Sequence, residues 1–370
     1  MSEPIRILHM IGSLNMGGSQ SMVINLHKAI DRSKVQFDYI IDRPGELYFA
    51  ETIRQLGGKI YELPTFKGFN FFEIRKSWKI FFKNHPEYKV LHSHIRSYAS
   101  LYLPIAKKAG LKTIIHSHNT SSGKGVKAIV KSCLQYGLRK NVDYYFACSK
   151  AAGKWLFGEK ITEQSNYFVL NNAIDVRKYS FSESSRKKIR EEFNVKDEFL
   201  IGHVGRFHPQ KNHLFLVDIF AKVHEKNPNS ILMLVGIGEL MNLVKEKVAE
   251  YKLNDRVIFA GSRSDVNELL SAFDVFLFPS LFEGLPVTLV EAQAAGLPIV
   301  CSESITKEVV VTDLVEMMSL TQKAIEWAEK IISKKNVDRM RKVNEVIASA
   351  GYDICESSKW LELFYEKIYV

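Results

Sequence analysis

Val275-Phe276-Leu277-Phe278-Pro279-Ser280-Leu281-Phe282-Glu283-Gly284-Leu285-Pro286, read with the run Val287 to Ala295 and with Ile299 to Cys301, decides the fold. Four consecutive apolar residues stopped by a proline make a strand buried on both faces, the kind that parallel sheets use. The nearly uncharged helix after Pro286 returns the chain to the start of the next strand, which completes a βαβ unit. In such sheets ligands bind outside the carboxyl ends of the strands, so the loop 279–286 is where chemistry is expected.

The same alternation of short β-branched runs and amphipathic stretches extends over the chain. Ile5–Met10, Gln36–Ile41, Lys59–Leu63, Val90–His94, Thr113–His118 and Tyr144–Cys148 are expected strands of a first doubly wound domain. Tyr167–Leu170 runs into the turn-prone Asn171-Asn172, after which Phe199–Gly205, Ser230–Val235, Val257–Ala260, Val275–Phe278 and Ile299–Cys301 build a second. The predicted α/β organisation is therefore a domain over 1–170, a domain over 171–350 and a closing helix over 351–370. Trp360, Leu361, Phe364 and Ile368 recur on that helix at helical spacing, and it is expected to pack back on the first domain. A chain of 370 residues suits two such cores.

Composition excludes several classes. A hydrophobic content of 46% with 25% charged residues belongs to a folded globular chain, and no low-complexity tract or repeat interrupts it. The start Met1-Ser2-Glu3-Pro4 before Ile5 reads as the approach to a strand rather than a signal peptide. No apolar run approaches the ~18 residues of a membrane helix, so an intracellular, cytoplasmic protein is expected. Cys133, Cys148, Cys301 and Cys355 are scattered without a C-x-x-C pair and are expected to be buried thiols. Residues 1–170 hold 25 Lys and Arg against 12 Asp and Glu, a balance of +13, while residues 171–370 stand at −3. The first domain should therefore face something anionic.

Four groups of residues carry candidate chemistry. Glu283 in the loop and Glu291 in the following helix place two carboxylates on one crevice rim, and Glu291 has no evident charge partner in its helix. Gly205-Arg206-Phe207-His208-Pro209-Gln210-Lys211-Asn212 also ends a buried strand, so Arg206, Lys211 and the amides of the next helix can converge on an anion such as a diphosphate. Gly12 with Gly17-Gly18, and Gly236 with Gly238, mark turns where backbone can approach a ligand. Neither turn completes a dinucleotide fingerprint or a P-loop, which removes hydride transfer and NTP hydrolysis. His92/His94 and His116/His118 stand at i, i+2 on the same side of their strands. Same-face histidines can ligate a metal, but neighbouring Ser, Asn and Thr supply hydrogen bonds and no acidic residue stands near, so substrate contact or polar packing is expected and no metal. No D-x-D occurs either.

These motifs together resemble the retaining glycosyltransferases of the GT-B fold, family 4, over most of the chain. Phe278 to Val300 is similar to that family's E-x7-E block, with Glu283 and Glu291 as its glutamates, and 205–212 is similar to its phosphate-binding turn. The resemblance implies two Rossmann-like domains facing a cleft, and metal-independent transfer of a hexose or N-acetylhexosamine from a nucleotide sugar, UDP being the commonest nucleotide. Glu283 would contact donor hexose hydroxyls, Glu291 the ribose, and Arg206 and Lys211 the leaving diphosphate. Gly236, Gly238, Arg263, Gly284 and Leu285 would complete the donor site. In the first domain Gly17-Gly18 resembles the glycine loop, although it continues Ser19-Gln20 where many members have Ala-Glu. His118, favoured over His116 for its place nearest the loop, resembles the active-site histidine, and His94, His116 and Asn119 would contact the acceptor. Ser302 to Leu320 resembles a bacterial capsular and exopolysaccharide subgroup, which implies a saccharide or lipid-linked saccharide acceptor.

Lys67 to Lys83 interleaves cations with five phenylalanines and Trp78, with an apolar stripe at Phe71, Ile74, Trp78, Phe81 and Phe82. Its basic flank, with Lys107, Lys108, Lys124, Lys127 and Lys131, suits an anionic membrane surface. Nucleic acid is not expected as a partner, because no recognised motif accompanies the charge. Two readings of other kinds remain beside the transferase: a non-catalytic nucleotide-sugar-binding scaffold subunit, and a sugar-nucleotide epimerase or hydrolase of the same architecture.

Overall fold

The computed structural model describes residues 3–15, 17–43, 45, 47–118, 137–139, 142–335, 337–339 and 343–369. The chain divides into two compact units, Met1–Ala173 with Ile354–Val370, and Ile174–Asp353.

In the first unit, β1 (Ile5–Gly12), β2 (Val35–Ile41), β3 (Ile60–Glu62), β4 (Val90–Ser93), β5 (Lys112–Ser117), β6 (Tyr144–Ala147) and β7 (Tyr167–Val169) form a parallel sheet in the order β3-β2-β1-β4-β5-β6-β7. The order reverses between β1 and β4. Alternation along β1 sends Leu8 and Met10 to a core with Trp78, Phe82 and Tyr102, while Ile7 and Ile11 face the other side. That second face is covered by the helices Gly18–Ala29 and Ile354–Ile368.

The closing helix thus belongs to the first unit. Leu361, Phe364 and Ile368 are buried against β1 and β2 as their spacing predicts, and Lys34 Nζ meets Glu362 Oε1 at 2.8 Å. Trp360 departs from the expectation: it is 39% exposed and stacks on Phe364 at 5.5 Å at the helix margin. Tyr365 takes the central buried place instead. A tryptophan at the edge keeps its ring on apolar neighbours while part of it stays wet, and a hydropathy stripe does not distinguish edge from centre.

In the second unit, β8 (Phe199–Val204), β9 (Ser230–Val235), β10 (Val257–Gly261), β11 (Val275–Phe278), β12 (Ile299–Ser302) and β13 (Val315–Met318) run parallel in the order β10-β9-β8-β11-β12-β13. Here the reversal lies between β8 and β11. Two details have clear causes. Gln293, fully buried, donates to Leu289 O and Val309 O and accepts from Val311 N and Thr312 N, which pins the connection into β13. Arg339 donates to Leu270 O and Ala295 O, each at 2.9 Å, closing two helix ends at once. Cys148 and Cys301 are buried, but Cys355 is exposed near the start of the closing helix, contrary to expectation.

Leu361→Ala should therefore weaken the first unit by roughly 2–5 kcal/mol, the range for emptying a buried leucine site. Urea unfolding followed by circular dichroism should show an earlier first transition with the second unit's transition unmoved.

Candidate functional site

At the reversal of the second sheet, the loops after β8 and β11 are laced together. Leu281 N donates to Gln210 O at 2.8 Å, Gln210 Nε2 to Phe282 O at 2.9 Å, and Asn212 Nδ2 to Pro279 O at 3.2 Å. Asn212 holds a left-handed backbone, φ 57°, which lets the short turn Pro209–Lys211 enter the helix His213–Lys226. The lacing carries Lys211 to Glu283: Nζ donates to Oε1 at 2.7 Å and lies 4.5 Å from the centre of the Phe278 ring. Both side chains are largely shielded, with 18% and 11% of their surface exposed. In a pair so shielded, each group is the other's polar partner in place of water.

Arg206 stands on the same turn but in solvent. It is 72% exposed and meets Glu239 at 3.2 Å, an ion pair of the kind worth about 0–1 kcal/mol, so a stronger anion can take the guanidinium. Gly236 and Gly238 are required by the chain itself. A Cβ on Gly236 would stand 2.2 Å from Gly205 O, and one on Gly238 2.4 Å from Phe207 O, so these glycines let the loop after β9 press on the Arg206 turn. Leu285 is part of the apolar core, with Gly284 between it and Glu283.

Glu291 is half-buried and accepts a hydrogen bond from Tyr179, with Lys178 near. Burial pushes its carboxyl up to about 7, against the opposing pull of Tyr179 and Lys178. Arg263 is not brought to this group. Two carboxylates hold it, Asp265 at 2.6 and 2.8 Å and Glu192 at 2.6 and 3.1 Å, and among the described residues it has no contact with Lys211, Glu283 or Glu291. Sequence reasoning missed Glu239, Tyr179 and the buried His203 and His213. His203 Nδ1 donates to Leu277 O at 2.9 Å, and His213 stacks on Phe207 at 4.2 Å beneath the turn. A histidine inside an otherwise apolar strand was the available signal.

In the first unit, Gly17 and Gly18 start the helix Gly18–Ala29 without a positive φ, and no acidic residue stands in its first turn. A Cβ on Gly18 would meet nothing within 4 Å among the described residues, and on Gly17 only the flexible Gln20 side chain. These glycines, unlike Gly236 and Gly238, answer to no packing demand from the described residues.

The paired histidines do share a face, with His9 of β1 joining them. Rings of His92 and His94 lie 4.5 Å apart and those of His116 and His118 4.1 Å apart. His9 Nδ1 is 3.1 Å from His94 Nε2, His94 Nδ1 is 2.8 Å from His118 Nε2, and His92 Nε2 is 3.3 Å from His116 Nδ1. Tyr365 of the closing helix reaches His92 Nδ1 at 2.6 Å. Burial holds every one of these imidazoles neutral, His92 and His118 down to about 3, with the Arg96 charge assisting at His118. Asn119, Lys124, Lys127, Lys131 and Cys133 lie outside the described residues.

Residues 185–345 match the family described as Glycosyl transferases group 1, and residues 16–178 match Glycosyltransferase Family 4. The putative glycosyltransferase EpsF of Bacillus subtilis is 34% identical over 362 residues, 95% of this chain and 94% of that one. The chain belongs to the group 1, family 4 glycosyltransferases. Another relative of this glycosyltransferase, the UDP-Gal:alpha-D-GlcNAc-diphosphoundecaprenol alpha-1,3-galactosyltransferase of Escherichia coli, is 28% identical over 225 residues, 58% of each chain. Among solved structures, HepE from Anabaena in complex with UDP matches with a TM-score of 0.81 at 19% identity, over 98% of this chain and all of that one. The fold is GT-B: two parallel, Rossmann-like sheets wound with helices.

The depressed histidines make the transferase's first unit acid-sensitive. Their folded pKa values lie below the ordinary 6.5, so as pH falls from 6.5 the unfolded chain binds protons that the folded one refuses. Stability is full above 6.5 and each such histidine forfeits about 1.4 kcal/mol per pH unit below it. Thermal scans should show the first unit's transition dropping steeply between pH 6.5 and 5. The second unit, with His203 and His213 depressed, should fall less.

Proposed function

We propose that this glycosyltransferase moves a hexose or N-acetylhexosamine, with retention and without a metal, from a UDP-sugar to a saccharide or lipid-linked saccharide acceptor in surface polysaccharide synthesis. The observation that carries the reading is the Lys211–Glu283 pair at the reversal of the second sheet, with exposed Arg206 beside it. The donor and acceptor printed for the Escherichia coli relative, and the UDP held by HepE, support the choice of substrates.

Chemically, the acceptor hydroxyl oxygen bonds to the anomeric carbon as the bond from that carbon to the β-phosphate oxygen breaks. The hydroxyl proton passes to the departing phosphate on the same face. Arg206 and Lys211 meet the negative charge that grows on the leaving group, the positive role that a metal and its D-x-D clamp fill in other transferases. Glu283 turns from Lys211 towards sugar hydroxyls, and Glu291 accepts from the ribose. The amides at Gly17-Gly18 approach the donor, with His118 beside the transferred sugar and His94, His116 and Asn119 towards the acceptor.

Arg206→Ala and Lys211→Ala should each lower kcat by roughly 10²–10³, as the loss of a preorganised donor to a developing oxyanion does. EDTA should leave the native rate unchanged, and circular dichroism should be native for Arg206→Ala. Near-native turnover in both variants would refute the diphosphate assignment.

The Glu291 carboxyl at about 7 adds a pH signature. Only the ionised form accepts from both ribose hydroxyls, so KM for the donor should rise as pH falls below about 7 and level off above it. In Glu291→Gln the donor KM should be raised and flat across that range.

Membrane contact is proposed for the helix Phe71–Asn84. Ile74, Trp78, Phe81 and Phe82 are buried, but Phe69 and Phe72 are 76% and 90% exposed. Arg75, Lys79, Lys83 and Lys108 line a cavity of 510 Å³ beside it. Exposed rings next to grouped cations suit the boundary of an anionic bilayer. Flotation with phosphatidylglycerol vesicles should recover the protein at low salt, and Phe72→Asp with Lys79→Glu should abolish recovery. Equal flotation with neutral vesicles would count against the surface.

A further inference from the structure

His208, on the turn between Arg206 and Lys211, has one ring nitrogen committed to the chain. Nδ1 accepts from Gln210 N at 3.2 Å and so caps the turn Pro209–Lys211. A backbone amide can only donate, so Nδ1 is the bare nitrogen and the hydrogen of the neutral ring stands on Nε2. That N–H is aimed at Glu239, whose Oε1 lies 3.7 Å from Nε2 while Oε2 takes Arg206 Nη2 at 3.2 Å. A separation of 3.7 Å is electrostatic contact and too long for a hydrogen bond. Nε2–H thus has no acceptor at bonding distance among the described residues.

The cap by itself gives no reason for a histidine, because asparagine, aspartate or serine caps a turn as well. What imidazole adds is a second nitrogen on the far side of the ring. One carboxylate shared between that nitrogen and a guanidinium marks a position where two donors converge on two oxygens of a single anion, the arrangement that a phosphate satisfies with further acceptors to spare. Backbone holds Glu239 at this position. Phe207 N donates to Ile237 O at 3.0 Å and Leu240 N to Phe207 O at 3.1 Å, on either side of it. The side chains of His208 and Glu239 are nevertheless 42% and 47% exposed, so solvent and ligand reach both. An exposed carboxylate is held weakly and can turn into water.

We propose that His208 is a further diphosphate-binding residue of the donor site, its Nε2–H donating to a phosphate oxygen beside Arg206 in exchange for the Glu239 carboxylate. The proposal deepens, and rests on, the reading in which Arg206 and Lys211 meet the leaving diphosphate.

Binding of UDP to the full-length protein, followed by calorimetry with EDTA present, tests it, with uridine titrated in parallel by NMR. In His208→Asn the side-chain oxygen still caps Gln210 N, but the side chain ends short of the place of Nε2. Its Kd for UDP should rise roughly tenfold or more, the worth of a hydrogen bond to a charged group, and its Kd for uridine should stay native. Glu239→Gln should bind UDP up to about fivefold more tightly, as the removal of a weak competing ion pair allows. In protein labelled with [15N]histidine, His208, assigned by the signal lost in His208→Asn, should show a bare Nδ1 and a protonated Nε2 that shifts when UDP is added.

A native UDP affinity in His208→Asn would overturn the proposal. So would an equal loss for uridine, which marks a disturbed turn rather than a missing phosphate contact, or a Glu239→Gln chain that binds UDP no more tightly than the native one. A native spectrum with His208 protonated on Nδ1 would overturn it without any variant. If Arg206→Ala and His208→Asn both bind UDP as the native chain does, the diphosphate lies elsewhere and the reading of the whole turn falls. Loss in Arg206→Ala alone leaves that reading standing and removes His208 from it.

Discussion

A parallel sheet sends the carboxyl end of every strand to one edge, and the helices that follow must leave that edge on one face or the other. Where strand order reverses, neighbouring strands send their helices in opposite directions and the loops part. In the second unit the reversal lies between β8 and β11, and the separated loops are the two that hold Lys211 and Glu283. Everything local follows from that crevice. The lacing of Gln210 to Leu281 and Phe282 sets how far apart the loops stand, and Gly236 and Gly238 let a third loop support the turn from behind. The ion pair then occupies the place where loops would otherwise fall apart. Withdrawing two charges from water costs several kcal/mol per ion after relaxation, so the pair contributes placement more than stability. It keeps a cation and a carboxylate side by side at the crevice, both largely shielded from water.

Much of the architecture was legible because parallel strands are buried on both faces and read as plain apolar runs. Ser230–Val235 and Val275–Phe278 have the expected bounds. β13 was not foreseen, because Val315-Glu316-Met317-Met318 is an edge strand with a charge in it. Glu316 is tolerated there by Lys330 and Lys334, each at 3.2 Å, which come from a later segment. Residue type and loop position pointed to Lys211 and Glu283, which the structure brings to 2.7 Å of each other, since both loops end buried strands. Arg263 shows the limit of that reasoning. Its own neighbour Asp265 and Glu192 from another helix claim the guanidinium, and no local pattern in the sequence announces Glu192. The glycine turns likewise looked alike as sequence, yet Gly236 and Gly238 serve chain packing while Gly18 does not.

The histidines raise a different question: why a sheet face otherwise built from Ile7, Ile11, Val90 and Ile114 spends its central positions on imidazole. A buried carboxylate or ammonium would demand an opposite charge, and the first unit already carries a surplus of cations. Neutral imidazole is the side chain that both accepts and donates at the two edges of one flat ring, so a row of them pairs ring to ring without any net charge. The row also packs, since stacked rings at 4.1 to 4.5 Å fill space much as phenylalanines would. Its cost appears only in acid, where each ring resists the proton that water offers. At neutral pH it runs from the interior at His9 to His94 and His118, which follow β4 and β5 at their carboxyl ends, the edge where a Rossmann-like sheet meets its ligands. A neutral, polar row thus spans the sheet from its buried middle to the edge at which its strands end, where the neighbouring apolar rows stop short.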